Sequence, residues 1–117
     1  MKIVAENKIK LSELKKMAEE SFGNLVKGVV DIEKKIMVIG GELHSDEEAF
    51  LLENGSEQKN IWGINIYPEK IGDDFIEFDS IINLRPSFGN RTRGIESYEI
   101  RNKIIEIVKG KVENDIP

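Results

Sequence analysis

Three of the four arginines lie in one short stretch, and their spacing suits the binding of an anion. Arg85, Arg91 and Arg93 fall within nine residues, and no acid lies between Asp79 and Glu96. Guanidinium groups bind phosphates and carboxylates through paired hydrogen bonds, and glycines nearby let backbone amides approach the same ligand. The stretch therefore predicts a site for a nucleotide, another phosphorylated metabolite or a carboxylate.

The alternative is that these arginines are structural. Arginine is also the preferred partner in ion pairs within proteins, and Glu77, Asp79 and Glu96 flank the stretch. The guanidinium groups would then brace the loop without binding a ligand. The interval from Gly89 to Gly94 matches that of a phosphate-binding P-loop, but the Lys-Ser/Thr pair that should follow is missing.

His44 is the only histidine, and it lies where a strand is expected to pass into a helix. In a catalytic version of the hypothesis, His44, Glu77 and Asp79 supply acid and base at a phosphate ester while the arginines stabilise charge. A packed, hydrogen-bonded histidine is the alternative. Ser45 and Glu48 are expected to form a capping box at the helix start. No HExxH or similar spacing is present, so we predict no metal site.

A second hairpin, with strands at Ile61–Tyr67 and Phe75–Leu84, is predicted to carry a polar face. Its residues alternate with period two, so that one face is apolar and points to the core. The other face holds amides, carboxylates, a phenol and a guanidinium but no lysine, which is otherwise the common solubilising residue of this chain. We therefore expect a partly enclosed pocket made by this face and the arginine stretch, with the ligand-binding residues Asn65, Tyr67, Asn83, Arg85, Asn90, Arg91 and Arg93.

The apolar periodicity predicts the element order (β)αββαββα. The simplest arrangement is a two-layer α+β fold, with a mostly antiparallel four-stranded sheet and helices packed on one of its faces. We expect one domain over residues 1–117, with a frayed tail at 111–117. The predicted helices begin near Ser12, Asp46 and Ser97.

Composition excludes several classes of protein. The 117 residues are 39% hydrophobic and 33% charged, as in a single globular domain. A net charge of −5 disfavours general binding to nucleic acids or anionic membranes. The absence of cysteine removes disulfides, thiol nucleophiles and cysteine-based zinc sites. No apolar run is long enough for a membrane span or a secretion signal, so we expect a cytoplasmic protein. No motif identifies a cofactor.

A non-catalytic interaction module or a homodimer is a further alternative. A strand such as Ile36–Ile39 or Ile61–Tyr67 at the edge of the sheet would pair between two chains. Trp62 or Phe88 would anchor the contact. Core packing is the simpler interpretation of Trp62, whereas Phe88 lies between Ser87 and Gly89 and is expected to be exposed.

Three runs of sequence resemble a family of small prokaryotic proteins of unknown function. They are GGELHSDEE from residue 40, IWGINIYPE from residue 61, and IEFDSIINLRPSFGNRTRGIE from residue 76. The resemblance extends from about Phe22 to Val108 and implies one compact domain. It implies no activity and assigns no catalytic residue, so it leaves open whether the protein is an enzyme.

Overall fold

A computed structural model describes all residues from 1 to 117. The chain forms three helices and seven strands, which are joined by loops and four short 3-10 turns. In chain order they are β1 (Lys2–Val4), β2 (Ile9–Lys10), α1 (Leu11–Glu20), β3 (Val26–Asp31), β4 (Ile36–Ile39), α2 (His44–Glu53), β5 (Ile61–Ile66), β6 (Ile76–Glu77), α3 (Tyr98–Lys111) and β7 (Val112–Glu113).

Five strands form one sheet in the order β1-β4-β3-β5-β6, and every neighbouring pair is antiparallel. The α+β class and the antiparallel sheet are thus confirmed. The fifth strand is β1, whose Val4 is fully buried opposite Met37 of β4. Strands β2 and β7 form a separate parallel pair, and Asp115 beyond β7 accepts a 3.0 Å hydrogen bond from the backbone amide of Ser12.

One face of the sheet carries the main core. Val30 of β3 and Ile64 of β5 are fully buried there, together with Leu14 of α1 and Ile104 of α3. The burial of such apolar side chains is the dominant stabilising term of a domain of this size. Helices α1 and α3 therefore cover this face, as the predicted two-layer arrangement requires.

Helix α2 packs against the opposite face, which corrects the expectation that all helices lie on one side. Its Leu51 forms a small buried cluster with Val29, Val38 and Ile61. The reason lies in the strands: β3 and β4 carry apolar residues in succession, so both of their faces need cover. None of the three helices combines the length and apolar content that a membrane span requires.

The predicted return strand Phe75–Leu84 also needs correction, because only Ile76–Glu77 pairs with β5. The chain then turns at Ile81–Asn83 in a 3-10 conformation. Strand parity therefore fails beyond Glu77, and Arg85 does not share a sheet face with the acids of the hairpin.

An asparagine side chain replaces the missing part of that strand. The Oδ1 of Asn83 accepts a 2.8 Å hydrogen bond from the amide of Gly63, and its Nδ2 donates to the carbonyl of Gly63 at 2.9 Å. The turn lies so close to β5 that a Cβ at position 63 would be only 2.6 Å from the Cβ of Ser80. Glycine is therefore required at this point of the sheet.

Candidate functional site

A row of polar residues crosses the second face of the sheet at its β6 end. Lys27 of β3 lies opposite Asn65 of β5, which in turn lies opposite Glu77 of β6. The Oε1 of Glu77 accepts hydrogen bonds from the Nδ2 of Asn65 at 2.9 Å and from the hydroxyl of Tyr67 at 3.0 Å. Burial and the bond to Glu77 raise the pKa of Tyr67, so the phenol remains a donor. The buried Oδ1 of Asn65 has no partner.

An ion pair stands at the end of this row. The Nε of Arg93 donates to Oδ1 of Asp79 at 2.9 Å, and both side chains are about half exposed. Asn65 ties the pair to the row, because its Nδ2 also donates to the carbonyl of Asp79 at 3.2 Å. Only Nε of Arg93 is engaged, so its two terminal nitrogens keep their donors free. An exposed pair of this kind contributes little to stability, at most about 1 kcal/mol.

His44, the first residue of α2, packs beside the same row. Its Nε2 lies 2.8 Å from the carbonyl oxygen of Ile64. A carbonyl can only accept, so Nε2 carries the hydrogen and the lone pair of the neutral ring is on Nδ1. Nδ1 makes no hydrogen bond within the protein, and the residue keeps 8% of its surface exposed.

The charges of the row act on His44. Burial lowers its pKa below the usual 6.5, and the bond to Ile64 opposes this in part. The positive charges of Lys27 and Arg93 lower the pKa further, whereas Asp79 raises it. The imidazole is therefore neutral at pH 7 and can accept a proton at Nδ1. We call the group Lys27, His44, Asn65, Asp79 and Arg93 the His44 site.

Arg85 lies outside this site and serves the fold. Its side chain is buried and donates to the carbonyl oxygens of Gln58 and Ile61, the latter at 2.7 Å. The guanidinium carbon lies 4.2 Å from the centre of the Trp62 ring. Burial lowers the pKa of Arg85, and the negative charge of Glu48 opposes the shift. The arginine is a brace, but its partners are carbonyls and an indole in place of the expected carboxylates.

Asn90 likewise shapes the loop. Its Nδ2 lies within hydrogen-bond distance of three carbonyls, those of Asn83, Thr92 and Gly94, at 2.6 to 3.1 Å. Its Oδ1 accepts from the amide of Glu96 at 2.9 Å. Both ends of its amide are engaged within the loop and the residue is buried, so Asn90 serves the fold of the loop.

Arg91 is the arginine without a side-chain partner. It is exposed, and its guanidinium makes neither a hydrogen bond nor an ion pair, while its backbone amide donates to Oε2 of Glu96 at 3.1 Å.

The residues that were predicted to form one site are thus divided into two groups. His44, Asn65, Tyr67, Glu77, Asp79 and Arg93 come together, whereas Asn83, Arg85 and Asn90 are structural.

The chain matches a known protein family over most of its length. A family model described as a protein of unknown function, DUF5674, matches residues 2–111, which include the whole His44 site. The chain belongs to the DUF5674 family. The resemblance expected from the three sequence runs is therefore confirmed. No curated protein and no solved structure matches the chain, so the function of this DUF5674 protein has to be argued from its own geometry.

Glu47 is a further titratable residue of this DUF5674 chain, and its burial in the core was not predicted. It is fully buried, and its Oε2 accepts a 3.0 Å hydrogen bond from the amide of Gly41. Burial raises its pKa to about 9, so the carboxyl is protonated at pH 7. A Cβ at Gly41 would lie 2.8 Å from Cγ of Glu47. The Gly40–Gly41 pair was the available signal, since it predicts the close approach of another group.

The residues and strands that were expected to form a dimer contact differ in their exposure and in their position in the sheet. Trp62 is only 4% exposed and belongs to the core, whereas Phe88 is 59% exposed. Strands β4 and β5 each have a neighbour on both sides, so neither is an edge of the sheet. The edges are β1 and β6, with three and two residues. Strand pairing between two copies of this DUF5674 chain would thus have little backbone to use.

Proposed function

We propose that this DUF5674 protein binds a small anionic ligand, of the phosphate or carboxylate class, at the His44 site. The observation that carries the proposal is the position of Lys27. Its ammonium has no carboxylate partner, and its charge acts on the neighbouring neutral ring of His44.

The positive groups of the site have free capacity. Lys27 is half-buried, and its ammonium lies 4.8 Å from the centre of the Phe22 ring. The terminal nitrogens of Arg93 are free although its Nε holds Asp79. Lysine supplies a point charge and arginine a planar pair of donors, and the two together suit an anion with several oxygen atoms.

The acceptors of the site narrow the ligand class. His44 Nδ1 and Asn65 Oδ1 are acceptors without a protein partner. Of the two, Asn65 Oδ1 is buried; an unpaired buried acceptor costs about 1–3 kcal/mol, and a ligand hydroxyl that reached it would recover that energy. The ligand therefore carries an O–H or N–H group beside its anionic group. Sugar phosphates, nucleotides and hydroxycarboxylates all have this combination of groups.

Within the expected site, this proposal keeps the polar face of the hairpin and Arg93 and leaves out Arg85. Arg85 is buried, donates to two carbonyls and lies over Trp62, so it is not available to a ligand at the His44 site although its Nε has no partner. Arg91 lies two residues from Arg93 in the chain and is the remaining unpaired guanidinium of the loop. It would add a long-range attraction for an anion, which salt would screen.

A second candidate function is acid–base catalysis at the same site. His44 favours it, because the bond to Ile64 fixes the tautomer and a lowered pKa keeps Nδ1 unprotonated. In that orientation the ring would take a proton from water or from a ligand hydroxyl during hydrolysis or transfer at a phosphate ester. Turnover of p-nitrophenyl phosphate that is lost in His44→Gln would favour this candidate over binding alone.

A thermal-shift series tests the binding proposal. Glycerol 2-phosphate and citrate should raise the melting temperature of the parent protein, since a ligand at about 100 times its Kd stabilises the native state by about 2.7 kcal/mol. The shift should shrink strongly in Lys27→Gln and in Arg93→Gln. Lys8→Gln removes the same charge from an exposed, unpaired lysine and is the matched control. Equal shifts in all four proteins would assign the effect to net charge and contradict the proposal.

A further inference from the structure

A cavity of about 830 Å³ is lined by none of the residues of the His44 site. The loop from Pro68 to Phe75, the side of α3 and residues 112–117 surround it. Its volume falls within the range of pockets that enclose small molecules. We propose that this cavity binds a small amphipathic carboxylate, with an apolar body and one anionic group.

Nine of the 20 residues that line the cavity are hydrophobic, and several of these belong to the margin of the core. Five half-buried side chains line it and pack against the main core, namely Leu11, Phe75, Phe78, Ile105 and Val112. They supply a firm surface for the apolar body of a ligand, because their other sides are fixed by the core.

Two large side chains stand at the cavity and are almost free of contacts. Ile71 is 87% exposed and Tyr98 is 75% exposed. Both line the cavity from different elements, the loop after β5 and the start of α3. A ligand lying between them would remove both apolar surfaces from water, which is the main source of affinity in such sites.

The charged side chains around the cavity favour a ligand that has an anionic group. Lys15 is paired with Glu69 at 3.4 Å, so these two cancel. Lys70, Arg101 and Lys109 line the cavity without an ion-pair partner, against the single remaining acid Asp73. This surplus of positive side chains is local, since the chain as a whole has a net charge of −5. A carboxylate would meet it, whereas a cationic amphiphile would be repelled.

Lys70 and Arg101 also contact aromatic rings, and these contacts leave N–H donors of both side chains available. The ammonium of Lys70 lies 4.4 Å from the centre of the Tyr67 ring. The guanidinium carbon of Arg101 lies 5.6 Å from the centre of the Phe78 ring, and only its Nε donates within the protein, to the carbonyl of Ile95. The two groups are thus oriented before a ligand arrives, which lowers the entropic cost of binding.

Amide NMR titrations with decanoate and 1-decanol, at millimolar concentration, test this inference. Decanoate should bind saturably and shift the amides of Ile71, Phe75, Tyr98 and Ile105, and 1-decanol should bind more weakly. The double variant Lys70→Gln/Lys109→Gln should raise the Kd of decanoate about fivefold to tenfold and leave that of 1-decanol unchanged. Both lysines are exposed, so the variant is expected to fold normally.

The double variant Lys16→Gln/Lys103→Gln is the matched control, because it removes the same charge from exposed lysines that do not line the cavity. It should bind decanoate as the parent does. Absence of saturable binding, equal affinity for the acid and the alcohol, or amide shifts located elsewhere would overturn the inference. So would shifts of the same amides with protein concentration alone, since these would assign the surface to a second copy of the chain.

Discussion

The Nε2 of His44 donates a hydrogen bond to the carbonyl oxygen of Ile64 at 2.8 Å. This contact joins the first turn of α2 to strand β5, and it leaves Nδ1 as the only free acceptor of the ring. Lys27 and Asp79 act on the same ring with opposite signs. The fold around His44 therefore determines the position, the tautomer and the charge of its ring.

The first prediction follows from the lowered pKa of His44. An NMR titration of the ring should give a pKa below 6.5. Since the unfolded chain then binds this proton more readily than the native protein, the contribution of His44 to stability should fall as pH drops from about 7 to about 5. His44→Gln removes this contribution and keeps a donor for the carbonyl of Ile64. If the stability of the variant and that of the parent changed equally with pH over that interval, the lowered pKa would be contradicted.

Glu47 gives the opposite pH dependence. Its pKa of about 9 lies above the usual 4.5, so the native state holds a proton that the unfolded chain releases. The contribution of Glu47 to stability should therefore decline as pH rises from about 5 to about 9, by roughly 5 kcal/mol in total. Glu47→Gln should lose this contribution and keep the opposite one of His44, as measured by urea unfolding. Glu53→Gln, at an exposed position of the same helix, is the control and should follow the parent.

The side chain of Asn83 should be among the most costly polar groups to remove. It makes three hydrogen bonds, two to Gly63 and one to the carbonyl of Arg93 at 3.0 Å, from a fully buried position. Asn83→Ala leaves backbone groups unpaired and should lower the free energy of unfolding by about 3 kcal/mol or more. Asn102→Ala, on the exposed side of α3, should change it by less than about 0.5 kcal/mol. A comparable loss in both variants would remove the special role of Asn83.

The arginines of the loop should separate in their effects on stability. Arg85→Lys removes the forked contact with Gln58 and Ile61 and the stacking on Trp62, and should cost about 2–3 kcal/mol. Arg91→Lys should cost less than about 0.5 kcal/mol, because the guanidinium has no partner. Chemical denaturation measures both values. A large loss of stability in Arg91→Lys together with none in Arg85→Lys would contradict the conclusion that Arg85 braces the fold and that Arg91 is unpaired.

Local signals predicted several parts of the structure correctly. Ser97 was expected to begin the last helix, and its Oγ accepts a 3.2 Å hydrogen bond from the amide of Ile100 as an N-cap does. The capping box of Ser45 and Glu48 was wrong, because α2 begins two residues earlier than expected, at His44, and its N-cap Leu43 makes no side-chain cap. The hydrogen bond from His44 to the carbonyl of Ile64 in β5 holds the start of α2 instead, and the spacing of residues in the sequence does not predict this bond.

The remaining errors share one physical cause, which is that the deciding contacts join residues far apart in the chain. Asn83 ends the predicted strand because its side chain pairs with Gly63, twenty residues earlier. Arg85 is drawn away from the acids by carbonyls at positions 58 and 61. Alternation along one segment carries no information about such partners, so it predicted the polar face of the hairpin but not where that face ends.

The most direct test of ligand binding uses His44 as its own reporter. As the only histidine, it gives a single set of ring signals, which can be followed at constant pH while glycerol 2-phosphate is added. We predict a saturable shift of these signals in the parent, in Lys8→Gln and in Arg91→Lys, and a Kd raised about tenfold or more in Lys27→Gln. Ring signals that stay unchanged up to millimolar ligand, or that shift equally in Lys27→Gln, would contradict anion binding at the His44 site.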